Sequence, residues 1–104
     1  MPRQRLPNRR PSTSFNFEHR GLGFTCTFSR FSDGRIGELF ISNHKVNSAV
    51  DVDARDAAII LSFALQHGAD ILAITKALSR DPRGTPTGVM GSVLDRLLAK
   101  GEGF

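Results

Sequence analysis

The hydrophobic pattern divides the chain into two stretches with different periods. From Ser14 the period is two. Phe15 and Phe17 alternate with Asn16 and Glu18, Gly21-Leu22-Gly23 breaks the run, and Phe24, Cys26 and Phe28 then alternate with Thr25, Thr27 and Ser29. Alternation of aromatic and β-branched residues predicts half-buried strands. Asp33-Gly34 tolerates positive φ and predicts a hairpin turn. A third strand is expected from about Arg35 to Ser42, with Leu39 and Ile41 pointing one way and Ile36, Glu38 and Phe40 the other. If Phe24, Cys26 and Phe28 face the helices, Phe31 falls on the opposite face, together with either Phe40 or the Leu39/Ile41 pair. An exposed apolar side chain there marks a partner surface or a strand end covered by a loop or the N-terminal segment.

From Asp51 the period becomes helical. Asp51 and Asp53 suit the positive end of a helix dipole, and Ser48 or Asp51 can cap it. Ala57, Ala58, Ile59, Ile60, Leu61, Phe63, Ala64 and Leu65 cover nearly every side, which predicts a helix central to the domain. His67-Gly68 ends it as a glycine cap. Asp70 starts a second helix, with Ile71, Ile74 and Leu78 on one face. A loop over residues 80–86 follows, and a third helix begins near Gly88, with Val89, Met90, Val93, Leu94, Leu97 and Leu98 at helical spacing. Strands followed by helices predict an α+β fold: a three-stranded antiparallel β-meander, then two to three helices packed on one face.

The chain has 104 residues, enough for a single domain. The expected division is a basic arm over residues 1–11, one domain over 12–101 and a tail over 102–104. The net charge of +4 resides in that arm. Arg3, Arg5, Arg9 and Arg10 precede Pro11; without them, ten basic residues face ten acidic ones. The arm also holds three prolines and reads as disordered in isolation. It is either a solubilising terminus or a segment that contacts phosphates, as of a nucleic acid, or an acidic protein surface. The N-terminus lacks the apolar region of a signal peptide, and no run of the sequence suits a bilayer, so a cytoplasmic protein without membrane contact is expected.

Candidate chemistry is sparse. His19, His44 and His67 lie far apart, and Cys26 is the single cysteine, so no metal site is expected. Cys26 falls mid-strand on the apolar face, where a thiol behaves as an inert small hydrophobe. Ser62 sits within the first helix and is expected to bond back to a carbonyl one turn earlier. Neither has a base nearby in sequence, so no catalytic residues are assigned. What remains is a polar set around the third strand: Arg30, Arg35, Glu38, Asn43, His44 and Lys45. These form either a partner- or anion-binding edge, in which Arg30 and Arg35 pair with Glu38 or an acidic partner, or a charged edge that discourages strand pairing.

The run DGRIGELFIS followed by NHKVNSAVDVDARDAAIILSFALQHG resembles the TSCPD domain. The resemblance is carried by Asp33-Gly34-Arg35, Glu38-Leu39-Phe40-Ile41, Lys45, Ser48, Ala54 to Ala58 and Ser62 to Gly68, with Gly88 and Leu94-Asp95 later. TSCPD domains occur at the C-terminal side of adenosylcobalamin-dependent (class II) ribonucleotide reductases and as small stand-alone bacterial proteins, to which this chain is more similar. It lacks the Thr-Ser-Cys-Pro-Asp string and any CxxC, and has His44-Lys45 where many reductase-attached copies have Gly-Lys. The resemblance implies a link to deoxyribonucleotide synthesis. It implies no reductase activity for this chain, because a radical cysteine and a redox pair are absent, and adenosylcobalamin belongs to the full-length reductases. The expectation is a non-catalytic accessory domain that binds a reductase, another nucleotide-metabolism protein or a nucleotide. A homodimer through the second sheet face and a small nucleic-acid-binding protein using the arginine arm are the alternatives.

Overall fold

In the computed structural model, which describes residues 2–100, the period-two region forms three strands. These are β1 (Ser12–His19), β2 (Leu22–Arg30) and β3 (Ile36–Asn43), in the order β1-β2-β3 and antiparallel throughout. The expected 102–104 tail, the domain end at residue 101 and Met1 lie outside the described residues. The β1–β2 turn is Arg20-Gly21, both at positive φ (53° and 77°). Two consecutive left-handed residues match the right-handed twist of the flanking strands. Gly34 sits at φ 96° in the β2–β3 loop, where its N–H donates to the Phe31 carbonyl at 3.0 Å.

Phe17, Phe24, Cys26, Phe28, Leu39 and Ile41 form the buried side of the sheet. Ile36 joins them, against the simple alternation. The pairing runs Ser29 with Glu38 and then Arg30 with Ile36, so Gly37 is an extra residue on β3. Such a bulge resets the alternation by one. Of the two alternatives for the open face, Phe40 occupies it at 52% exposure, and Leu39 and Ile41 face the core. Phe31 is buried at the strand end, against Gly37 and Leu6 of the arm: a Cβ built on Gly37 would stand 3.0 Å from the Phe31 ring and 3.1 Å from Leu6.

Three helices follow: α1 (Ala49–Gln66), α2 (Ile71–Ala77) and α3 (Val89–Ala99). Ser48 caps α1, its Oγ accepting from the Asp51 N–H at 3.2 Å. Gly68 closes α1 at φ 92°, with Gly68 N–H donating to Leu65 and Ala69 N–H to Ala64, the two bonds of a Schellman end. Asp70 caps α2, and Ile71, Ile74 and Leu78 turn toward the core. From α3, Val93, Leu94 and Leu97 are fully buried. Lys100 and Arg96 lay their charges over Phe15 and Phe17, at 4.8 and 5.4 Å from the ring centroids.

α1 is not the all-round buried helix that its composition predicts. It packs chiefly on β3 and buries Ala54, Ala58, Leu61 and Leu65, while Val52, Ile59, Ile60 and Phe63 are exposed, Ile60 at 70%. Its polar residues explain the orientation. β3 has a strand neighbour on one side only, so every second residue turns an N–H and a C=O away from the sheet. Ser62 Oγ accepts from the Leu39 N–H at 2.9 Å and shares its proton between the carbonyls of Ala58 (2.8 Å) and Leu39 (3.0 Å). Gln66 Nε2 donates to the Gly37 carbonyl at 3.1 Å, and Asp51 Oδ1 accepts from the Asn43 N–H at 2.8 Å. The register is antiparallel: Asp51 to Gln66 spans about 22 Å of helix, and Asn43 to Gly37 about 20 Å of strand. The bond from Ser62 to Ala58 is the one expected from the sequence; its two bonds to β3 are additional.

Ser62→Ala leaves both Leu39 backbone groups buried without a partner. The expected cost is about 1–3 kcal/mol, seen as a Tm lowered by at least about 4 °C. An unchanged Tm in a thermal melt contradicts this role.

Candidate functional site

The six polar residues singled out around β3 fall into two groups at opposite ends of the strand. Arg30, Arg35 and Glu38 lie at the hairpin end. Arg30 donates to the Gly34 carbonyl at 2.7 Å and lies 5.4 Å from the Phe28 ring centroid. Arg35 Nε donates to Asp33 Oδ2 at 2.8 Å, and its guanidinium covers the Phe31 ring at 4.9 Å. The Arg35 amide, then its guanidinium, hold the Asp33 carboxyl below its ordinary range. Glu38 pairs with neither arginine. Arg10 of the arm takes it, with Nε and Nη2 at 2.7 and 2.6 Å from Oε1. Of the expected alternatives, the Arg35–Glu38 pair does not form, because Asp33, two residues before Arg35, captures that guanidinium locally.

At the other end, Asn43 is buried and works as a hub. Its Nδ2 donates to the Gly23 carbonyl at 2.9 Å, and its Oδ1 accepts from the Lys45 N–H at 3.0 Å. Asp51 Oδ1 and Oδ2 accept from the N–H groups of Asn43 and Asn47, both at 2.8 Å, which folds the 44–47 turn onto the start of α1. These two backbone bonds, Asn47's the larger, keep the Asp51 carboxyl below its ordinary value of 3.8, with Arg55 adding to the effect. His44 and Lys45 project into solvent. Thr25 donates to Asn16 Oδ1 at 2.7 Å, so its oxygen is left to accept from His44 Nε2 at 3.2 Å. That places a proton on His44 Nε2.

Between the two ends, Phe40 and Ile59 face each other across a shallow cavity of about 260 Å³ that also takes in Thr25, Thr27, Ser42 and Arg55. Sequence reasoning missed Arg55 and Ile59 here, because helical periodicity places them on α1 without saying which side of α1 meets the strand. It also missed Gln66 and Phe63, which receive the arm. Arg3 donates to Gln66 Oε1 at 2.6 Å and lies 4.5 Å from the Phe63 centroid. Of the four arm arginines, Arg3 and Arg10 are thus engaged within the chain, whereas Arg5 and Arg9 project into solvent.

Burial pushes the Cys26 thiol up to about 12, so it stays protonated at neutral pH. His19 Nε2 lies 3.0 Å from the Thr87 carbonyl. Among the described residues, no three His, Cys, Asp or Glu side chains gather as metal ligands, and no helix is long and apolar enough to cross a membrane.

Over 77 residues, 74% of its length, the chain is 34% identical to the vitamin B12-dependent ribonucleotide reductase of Agrobacterium fabrum (strain C58). The chain is related to a segment of that reductase. The matched stretch is 6% of the reductase's length. No family model and no solved structure matches the chain. The related reductase depends on vitamin B12 by name, and two cavities of this chain bear on whether a corrinoid fits it. That on β3 measures about 260 Å³ and that beside His19 and Met90 about 350 Å³. Both lie at or below the small end of pockets that hold drug-sized ligands, and a corrinoid is larger, so they do not fit it.

Asp51 ties the site's loop to α1, and its carboxyl titrates lower folded than unfolded. Its contribution is therefore complete above an unfolded value near 3.8 and is lost as pH falls through the depressed folded value. Asp51→Asn is expected to melt below the wild type at pH 7, with the gap closing as pH falls below about 4. A gap that stays constant from pH 7 to pH 2 contradicts the assignment.

Proposed function

We propose that this chain is a non-catalytic accessory module of the TSCPD type, acting in deoxyribonucleotide synthesis by docking a reductase or another nucleotide-metabolism protein. The observation that carries this reading is the 34% identity to a segment that forms only 6% of a ribonucleotide reductase. A segment of that size within a long chain suits a module that joins other parts rather than one that performs the reaction. The chemistry of Cys26 supports it. Radical and disulfide steps need an accessible thiol or thiolate, and burial keeps this thiol protonated. Docking uses the open side of β3: Phe40 at its centre, Ile59 and Arg55 of α1 beside it, and His44 and Lys45 beyond the strand end. An exposed aromatic ring next to an aliphatic side chain, rimmed by polar groups, has the make-up of an interface core.

Affinity capture with the tagged chain from its native cells is the test. The expected outcome is recovery of a ribonucleotide reductase subunit or another nucleotide-metabolism enzyme, lost when Phe40→Asp is captured in parallel. Recovery of no such protein, together with no thermal shift by ribonucleotides or deoxyribonucleotides, overturns the reading.

A further inference from the structure

The N-terminal arm is seated in a groove with three distinct contacts. At one end, Gln66 receives two arm residues: Arg3 Nε donates to its side-chain oxygen at 2.6 Å, and Gln4 N–H to its backbone carbonyl at 2.6 Å. The Phe63 ring stacks beneath the Arg3 guanidinium at 4.5 Å. In the middle, the Leu6 side chain enters the hollow above Gly37, which has no side chain of its own, and lies beside Phe31. At the far end, Arg10 meets Glu38 at 2.6 Å and turns a further donor, Nη1, onto the Pro7 carbonyl at 2.9 Å. Arg35 ties the path down by donating to Gln4 Oε1 at 2.9 Å.

These contacts read a pattern: arginine, leucine three residues on, and arginine four further on, presented by irregular chain that bends at Asn8-Arg9 before the second arginine. Each receiving feature has the chemistry for its guest. A ring face and an amide oxygen suit a guanidinium. A glycine at a bulge leaves room for a branched aliphatic side chain. A carboxylate with little solvent contact strengthens an arginine pair beyond the surface norm. Pro2 and Pro7 restrict the arm toward extended conformations and lower the entropy lost on seating it.

We propose that the groove formed by Phe63, Gln66, Gly37, Phe31 and Glu38 is a recognition site for an arginine–leucine–arginine peptide segment that bends ahead of its second arginine, filled in cis by the chain's own arm. The groove shares no residue with the Phe40 surface of the docking reading and is a second site beyond it. A partner segment enters by displacing the arm. Tethering gives the arm an effective concentration on the order of millimolar, so the intact chain resists free peptide.

The test uses full-length protein and a fluorescein-labelled peptide of residues 2–11, followed by anisotropy. In one variant, Arg3→Ala, Leu6→Ala and Arg10→Ala together release the arm while leaving the core untouched. The released chain is expected to bind the peptide saturably and about tenfold or more tightly than the wild type. Adding Glu38→Gln removes most of that gain, and a peptide carrying Leu6→Asp binds about tenfold more weakly. Equal binding by wild type and released chain, no saturable binding by the released chain, or indifference to Leu6→Asp overturns the proposal, the last by showing charge attraction alone. If the triple variant does not fold, Glu38→Gln in the otherwise intact chain substitutes for it. Trypsin is then expected to cut after Arg5 about tenfold faster than in the wild type, and an unchanged rate overturns the proposal. Failure here with successful capture of a nucleotide-metabolism enzyme removes the peptide site and leaves the docking reading standing.

Discussion

The open edge of β3 is the constraint around which this structure is arranged. A strand with one neighbour leaves alternate backbone groups without a ladder partner, and once covered those groups must bond to something. Here a helix covers the edge and supplies the bonds from side chains. Asp51, Ser62 and Gln66 reach the Asn43, Leu39 and Gly37 backbones in turn. One constraint thereby fixes the direction of α1, its rotation and its distance from the sheet. It also explains why α1 buries the polar Asp51, Ser62 and Gln66 while leaving Ile59, Ile60 and Phe63 outside its packed side. With Ser62 and Gln66 turned to the strand and Ala58 and Leu65 to the core, the opposite side with Ile60 and Phe63 faces solvent.

Local chemistry made much of this legible. The alternation in β1 and β2, the helix ends at Ser48 and Gly68, the Asp70 cap and the start of α3 at Gly88 all depend on residues within a few positions of one another. The failures share a different origin. Ile36 was placed on the wrong face because alternation carries no sign of an extra residue, although Gly37 was the available hint. Glu38 was matched with nearby arginines, but its partner Arg10 lies 28 residues away. α1 looked central because a helix with apolar residues on every side is ordinarily buried; periodicity cannot show that hydroxyl, amide and carboxylate side chains had been recruited by a strand edge. The six polar residues around β3 were legible as individuals. Their separation into two groups follows from the length of the strand.

The same arrangement produces the surfaces on which a docking function would draw. Turning Asp51, Ser62 and Gln66 toward β3 leaves Ile59 exposed beside Phe40, and the bulge that brings Ile36 into the core opens the hollow at Gly37 that Leu6 fills. Fold and candidate interface are thus two results of one packing decision. Similarity to a short segment of a ribonucleotide reductase gives that packing a context.

Native-state hydrogen exchange at the Leu39 and Asn43 amides tests the central claim most directly. Both point away from β2, and both donate to side chains of α1, at 2.9 and 2.8 Å. If α1 completes the sheet edge, they exchange as slowly as the Phe40 amide between β2 and β3, within about tenfold, through openings close to global unfolding. Exchange orders of magnitude faster than Phe40, at rates typical of a solvent-facing strand edge, would contradict the account.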